Sequence, residues 1–221
     1  MRVGVLFSGG KDSTYTLWLA QQQFEVVTLV TVLSTHDSYL YHYQHKHIAK
    51  ILAEAIDLPL LLIKLASEQD ELDTLEAHLR SLEIQALCIG GLLSEYQRTR
   101  FNEVASRLHI PCFAPLWRKD SILLLKDITS HFQVIITTIA SMGFKKEDLG
   151  RELDLKMIQR LKDLHARYGV SLTGEGGEYE SLVLDAPFYK KKIVLDEVIT
   201  HWDATKFFGY LEIVKLHLEE K

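Results

Sequence analysis

Residues 2–13 read Arg-Val-Gly-Val-Leu-Phe-Ser-Gly-Gly-Lys-Asp-Ser, and this stretch decides the fold. Arg2–Phe7 is a short apolar β-type run that stops at Ser8-Gly9-Gly10. A helical pattern follows over Ser13–Gln22, with Tyr15, Trp18 and Leu19 on its expected buried side. A glycine pair right after a strand lets the backbone turn tightly and bring N–H groups to an anion. The helix behind it aims its positive end at the same place. Lys11 adds a full charge, and Ser8 and Ser13 add hydroxyl donors. Asp12 is out of place beside phosphates unless a cation intervenes, and Mg²⁺ is commonly held by a carboxylate together with phosphate oxygens. Other phosphate motifs do not match. A Walker A loop needs Gly at position 5 and Ser or Thr at 12, where this chain has Val5 and Asp12. Gly9-Gly10-Lys11 breaks the Gly-x-Gly of the dinucleotide fingerprint.

Outward from this junction, strands alternate with helices. Val26–Leu33, Pro59–Leu65, Ala86–Ile89 and Pro111–Ala114 are aliphatic runs suited to strands covered on both faces. Helical spacing joins Ile48, Leu52, Ala55 and Ile56, then Leu72, Leu75, Leu79 and Leu82, then Phe101, Val104, Ala105 and Leu108. The alternation predicts an α/β fold, a doubly wound, mostly parallel sheet with right-handed crossovers. Ligands of such sheets lie beyond the carboxyl ends of the strands. The Ser8–Ser13 loop, His36–His42 and Gly90–Arg100 follow strand ends and are expected to share one crevice. After Trp117 the alternation is lost. Ser121–Ser130 and Glu152–Tyr168 read as helices, while Phe132–Ala140, Leu182–Leu184, Lys192–Ile199 and Tyr210–Leu218 read as strands. We therefore expect residues 1–119 to form an α/β domain that carries the phosphate loop and 120–221 a smaller α+β domain, which the family resemblance given below makes the ATP-binding and the substrate-side domain.

The 221 residues are 47% hydrophobic and 25% charged, with a net charge of -5. These are ordinary globular values, and the basic excess of a stable nucleic-acid binder is missing. No apolar run approaches the length of a membrane span. Cys88 and Cys112 form no C-x-x-C, which excludes a zinc ribbon or thioredoxin-like pair and suits a reducing cytoplasm. The start, Met-Arg-Val-Gly-Val, has no secretory h-region and no amino-terminal nucleophilic Cys of the glutaminase kind.

Ser8-Gly9-Gly10-Lys11-Asp12-Ser13 resembles the signature of the PP-loop, or N-type, ATP pyrophosphatases. That resemblance implies a Rossmann-like fold of the adenine nucleotide alpha hydrolase type, and cleavage of ATP to AMP and pyrophosphate. A narrower resemblance is carried by residues 174–187, Gly-Glu-Gly-Gly-Glu-Tyr-Glu-Ser-Leu-Val-Leu-Asp-Ala-Pro. Together with Ser38-Tyr39-Leu40-Tyr41-His42, with Gly90-Gly91 through Tyr96-Gln97-Arg98-Thr99-Arg100, and with Pro115-Leu116-Trp117, it resembles the diphthine–ammonia ligase family across nearly the whole chain. Two departures stand out. His42 continues as Tyr43-Gln44-His45 where the family often has Thr-Pro-Asn, and Gly90-Gly91 stands where it often has Gly-Asp.

The resemblance implies an ATP-dependent ligase. The diphthine carboxylate of elongation factor 2 would be adenylated, and ammonia would displace AMP to give the amide. It implies ATP as cosubstrate, Mg²⁺ at Asp12, and phosphate contacts from Ser8, Gly9, Gly10, Lys11, Asp12 and Ser13, with His42 near the nucleotide. Tyr96, Arg98 and Arg100 would shape the substrate crevice. Lys11, Asp12, Glu175 and Glu178 are the expected catalytic residues. Glu178, Tyr179 and Glu180 are expected to hold the substrate, because a quaternary ammonium has no N–H donors and is recognised by carboxylates and aromatic faces. Ammonia would come free or from a separate donor. A ligase acting on another small carboxylate, and an ATP-binding sensor without turnover, are the competing readings.

Overall fold

A computed structural model of the chain describes the backbone of residues 1–33, 39–64, 71–91 and 95–221, and the side chains of 1–33, 47–64, 72–91 and 98–221. The chain divides into two compact units, Met1–Arg118 and Lys119–Lys221.

In the first unit the alternation is complete. The elements run β1 (Arg2–Leu6), α1 (Lys11–Gln21), β2 (Glu25–Leu33), α2 (Tyr39–Ile56), β3 (Leu60–Lys64), α3 (Glu71–Arg80), β4 (Ala86–Cys88), α4 (Glu95–Arg107) and β5 (Cys112–Phe113). The strands form one parallel sheet in the order β3-β2-β1-β4-β5. Val3 and Val5 of β1 are fully buried, as the central strand of a sheet covered on both faces requires. A cluster of Val30, Ile63, Leu75, Leu79, Leu87, Ile89 and Val104 fills one layer between strands and helices. Burying each such side chain contributes about 1.5–3 kcal/mol. The chain leaves β1 toward β2 on one side, while β4 lies on the other side of β1. The topological switch point, where ligands of such sheets bind, is therefore between β1 and β4.

One helix face differs from expectation. Tyr15 of α1 is buried, but Trp18 and Leu19 are half-buried, and Thr14, Thr16, Leu17 and Ala20 are the enclosed positions. Trp18 packs edge-on against Tyr15 at 5.5 Å instead.

The second unit is antiparallel, with elements α5 (Ser121–His131), β6 (Gln133–Ala140), α6 (Leu155–Tyr168), β7 (Tyr179–Asp185), β8 (Lys191–Asp203) and β9 (Phe208–Glu220), and its sheet runs β7-β6-β9-β8. Asp120 caps α5 by accepting from Leu123 N at 2.9 Å, and Asp154 caps α6 by accepting from Met157 N at 2.7 Å. The expected helix start at Glu152 is too early, because Glu152 forms a bridge with Ile135 and only Asp154 frees the next turn. Gly169 ends α6 in the left-handed region at φ 71°. Met157, Ile158, Leu161 and Leu164 form the buried stripe of α6, and Val134, Ile136, Ile139 and Val183 are fully buried in the strands. All three C-terminal strands are longer than their apolar cores suggest. Among the described residues no helix is long and apolar enough to cross a membrane.

Candidate active site

The loop after β1 is built by its own side chains. Phe7 N continues the ladder to Val30 O at 2.8 Å, and Gly9 then takes φ 82°, a left-handed turn that a residue with Cβ adopts at a cost. Gly10 sits at the N-cap of α1 and offers no side-chain acceptor to the first helical amides. Ser13 braces the turn. Its Oγ donates to Gly10 O at 3.1 Å, accepts from Ser8 N at 3.2 Å, and lies 3.1 Å from Ser8 Oγ. A strand exit, a left-handed glycine and a helix start without a side-chain cap together make a cradle of backbone dipoles suited to phosphate.

The charged pair in this loop is enclosed. Lys11 is 3% exposed, and its Nζ donates to Asp12 Oδ2 at 2.7 Å. Asp12 Oδ1 is buried and has no hydrogen-bond partner. A carboxylate oxygen left this way costs roughly 1–3 kcal/mol or more, so the site gains from a cation that takes it as ligand. Mg²⁺ fits that oxygen by donor chemistry. Among the described residues no three His, Cys, Asp or Glu side chains converge on a metal position. A divalent ion here would therefore draw most of its ligands from phosphate oxygens and water.

Gly90, expected at the crevice from its place at a strand end, meets this loop by a close backbone contact that its sequence does not show. Gly90 follows β4, next to β1 in the sheet, and a Cβ added there would lie 3.1 Å from Ser13 Cα and N and 3.2 Å from Asp12 C. The start of α1 thus rests directly on Gly90. Gly91 has nothing within 4 Å of its corresponding position. The signal in the sequence was a second glycine pair at the exit of a second strand.

At the same edge of the sheet, Arg98 of α4 stacks over the Trp117 ring with its Cζ 4.3 Å from the centroid, and the Arg118 Cζ lies 5.8 Å from it. Trp117 is therefore a platform for guanidinium groups within this unit. Arg100 is half-buried one turn from the start of the same helix. The side chains of His42 and Tyr96 lie outside the described residues, as does His36.

The Gly174–Pro187 segment separates residues that its sequence places together. Tyr179 is 3% exposed, donates its hydroxyl to Leu172 O at 2.8 Å, and packs at 6.0 Å from Phe144. Its ring is enclosed in the unit, which corrects the expectation that it offers an aromatic face to a substrate cation. Glu178 accepts from Ser171 N and Gly176 N, both at 2.9 Å, one on each carboxylate oxygen. It ties the turn together rather than standing open, and a Cβ at Gly176 would push against its carboxylate. Gly174, at φ 74°, passes so close that a Cβ would meet Tyr179 O at 2.6 Å. Glu180 is exposed and accepts from Thr138 Oγ1 at 3.1 Å, and Glu175 is half-buried. Dispersal of the three carboxylates over backbone amides and a neighbouring strand relieves the repulsion that their crowding suggests.

Both thiols are unpaired and lie in the first unit. Burial pushes the Cys88 thiol up to about 12 and the Cys112 thiol up to about 11. Neither is a nucleophile near neutral pH.

Residues 1–111 match a family model described as the diphthamide synthase N-terminal domain, and residues 120–218 match one described as the diphthamide synthase C-terminal domain. A bovine (Bos taurus) protein named diphthine–ammonia ligase is 36% identical over all of this chain and 94% of its own length. The human (Homo sapiens) protein of that name is 35% identical with the same coverage. A fission-yeast (Schizosaccharomyces pombe) protein of that name is 34% identical over 91% of this chain but only 37% of its own longer sequence.

Proposed function

The chain belongs to the diphthamide synthase family, and on that premise we propose that it is an ATP-dependent diphthine–ammonia ligase. The observation that carries this reading is the phosphate cradle of Ser8–Ser13 at the β1/β4 switch point, in a chain that aligns from end to end with ligases of that name.

Two steps follow. The diphthine carboxylate of elongation factor 2 attacks the α-phosphorus of ATP, forming the acyl adenylate and releasing pyrophosphate. Ammonia then attacks the acyl carbon, AMP leaves, and the nitrogen loses a proton as the amide forms. The first step makes a poor electrophile reactive by turning its oxygen into a good leaving group. Gly9, Gly10 and the first amides of α1 hold the departing phosphates, with Ser8 and Ser13 keeping the turn in shape. Lys11 adds positive charge where negative charge accumulates. Mg²⁺ at Asp12 Oδ1 would neutralise phosphate oxygens and orient them. Arg98, over the Trp117 ring, and Arg100 follow the carboxyl end of β4 and shape the crevice, with Tyr96 and His42 assigned there by family resemblance. Residues 1–119 act as the ATP-binding domain and 120–221 as the substrate-side domain. In the latter, Glu178 and Tyr179 build the turn that presents Glu175, and Glu180 remains on an open strand face. Glu175 takes up the proton that ammonia must lose.

The raised thiols of buried Cys88 and half-buried Cys112 fit a chain without a glutaminase nucleophile of its own, so the ammonia comes free or from a separate donor. Two unpaired thiols also favour a cytoplasmic location. The test is to incubate the protein with Mg²⁺, ATP, ammonium and diphthine-bearing elongation factor 2 and to resolve the nucleotides. AMP and pyrophosphate that appear only with both factor and ammonium support the ligase. ADP, or AMP formed without the factor, overturns it.

A further inference from the structure

The aliphatic strand β2 carries two hydroxyls, Thr28 and Thr31, and both are buried. A buried hydroxyl costs free energy unless it finds a partner, so the acceptor each one reaches is informative. Thr28 Oγ1 shares its proton between Leu29 O at 3.2 Å and Pro59 O at 3.3 Å. It ties β2 to the residue before β3, on the side of the strand away from β1. Thr31 Oγ1 reaches the other way and donates to Phe7 O at 2.6 Å, at the exit of β1.

That contact stands where a rung of the sheet would be. In a regular parallel ladder the bond from Phe7 N to Val30 O, 2.8 Å here, is followed by one from Val32 N to Phe7 O. β1 stops at Leu6 while β2 runs on to Leu33, and the Phe7 carbonyl takes the Thr31 hydroxyl. The other side of the same peptide group is held as well, because Ser8 N donates to Ser13 Oγ at 3.2 Å. A peptide group is planar, with its C=O and N–H on opposite sides of the chain. A hydroxyl at each side fixes the rotation of the Phe7–Ser8 plane about the chain. Gly9, at φ 82°, turns from that fixed plane, and Gly10 and the first amides of α1 follow. Gly90 supports the start of α1 from the β4 side, and Thr31 holds the exit of β1 from the β2 side.

We infer that Thr31 is a positioning residue of the phosphate loop. Its hydroxyl sets the plane of the Phe7–Ser8 peptide, and through it the direction in which the Gly9, Gly10 and Lys11 amides point. The inference rests on the reading of Ser8–Ser13 as the phosphate cradle of the ligase. Thr31 acts through that peptide and not on the nucleotide. Without the hydroxyl, the Phe7 carbonyl regains a donor by extending the ladder to Val32 N, which draws the loop toward β2.

Thr31→Val keeps the shape of the side chain and removes the donor. In the whole chain it should weaken ATP binding about tenfold, the scale of one lost hydrogen bond. KM for ATP should rise, while KM for diphthine-bearing elongation factor 2 stays within about twofold. Thr31→Ser restores the donor and should bring ATP affinity back to within about threefold of the wild type. The amide resonances of Ser8, Gly9 and Gly10 should move in Thr31→Val and stay near their wild-type positions in Thr31→Ser. Thr28→Val is the matched control, because it removes a buried hydroxyl from the same strand that bonds on the side away from β1. It should lower the melting temperature and keep ATP affinity. Wild-type ATP affinity in Thr31→Val, or an equal loss in folded Thr28→Val, overturns the proposal. The wild type supplies the test if Thr31→Val does not fold. Its Thr31 hydroxyl proton should exchange with water far more slowly than that of the exposed Thr99, and equal exchange overturns the proposal. A wild type that binds no ATP defeats the ligase reading instead, and the Ser8–Gly10 amide shifts still decide the role of Thr31.

Discussion

Asp12 shows how far one side chain can be read in advance. Its charge beside a phosphate loop already called for a cation, and the structure adds the reason: Oδ2 is taken by Lys11 while Oδ1 is buried without a partner. Asp12→Asn should lower the rate of AMP formation by about 10²-fold or more, the scale of losing one preorganised electrostatic contact. Half-saturation by Mg²⁺ should rise, and ATP binding measured in EDTA should not weaken. A normal Mg²⁺ titration in that variant would remove Asp12 from the metal site. Glu178 was not legible in this way. Its partners, Ser171 N and Gly176 N, are backbone groups that meet it only once the turn closes, and composition offers no trace of them. In Glu178→Gln an amide NH₂ faces one of those N–H groups. A loss of about 1–2 kcal/mol is expected, read as a lower melting temperature, with lower ligase activity and unchanged ATP affinity. Wild-type stability would return Glu178 to a substrate-facing role.

Elements follow the apolar pattern where burial is two-sided and depart from it where burial is one-sided. β1 to β4 are runs of aliphatic residues because helices cover both faces, whereas alternation leaves their order open and the order around the switch point is known only from the folded sheet. The far ends of β8 and β9 alternate charge with charge, as in Lys191 with Glu220 and Lys192 with Glu219, and those pairs extend the ladder beyond the apolar residues that mark it in the sequence. Tyr179 is likewise the first residue of β7, buried by a strand that its sequence reveals only from Leu182 onward. The junction of elements that matters most to the site is β4 against α1. Gly90→Ala puts a methyl 3.1 Å from the backbone of Ser13. Helix α1 must then shift by a few tenths of an ångström, and the cradle shifts with it. KM for ATP should rise severalfold, with a stability loss of about 1–3 kcal/mol. Gly91→Ala, which meets nothing within 4 Å, is the matched control and should leave both unchanged. Equal effects of the two substitutions would show that the glycine pair serves backbone flexibility and not close packing.

At the scale of the whole molecule, the two thiols should make the first unit more sensitive to alkali than the second. Cys88 and Cys112 both belong to Met1–Arg118, and burial raises both thiols above the ordinary value of 9.0, to about 12 and about 11. A group that holds its proton more tightly when folded contributes stability that is complete below its unfolded value and is lost as pH rises toward its folded one. The window is therefore pH 9 to about 12, and the loss falls on Met1–Arg118. In Lys119–Lys221 the Arg160 guanidinium is bound to Asp148 at 2.6 Å and is held above its ordinary range, so it keeps its charge across that window. Hydrogen exchange during urea denaturation at pH 8 and at pH 10.5 separates the two units by their own amides. Raising the pH should lower the opening free energy of β1 and β4 by about 2 kcal/mol for each thiol, roughly 4 kcal/mol in all, and lower that of β6 and α6 by less. Cys88→Ala combined with Cys112→Ala should flatten the alkaline response of the first unit, even though the cavities lower its stability at every pH. An alkaline loss that survives the double substitution, or that strikes both units equally, would assign it to the tyrosines and lysines of the chain instead of the two buried thiols.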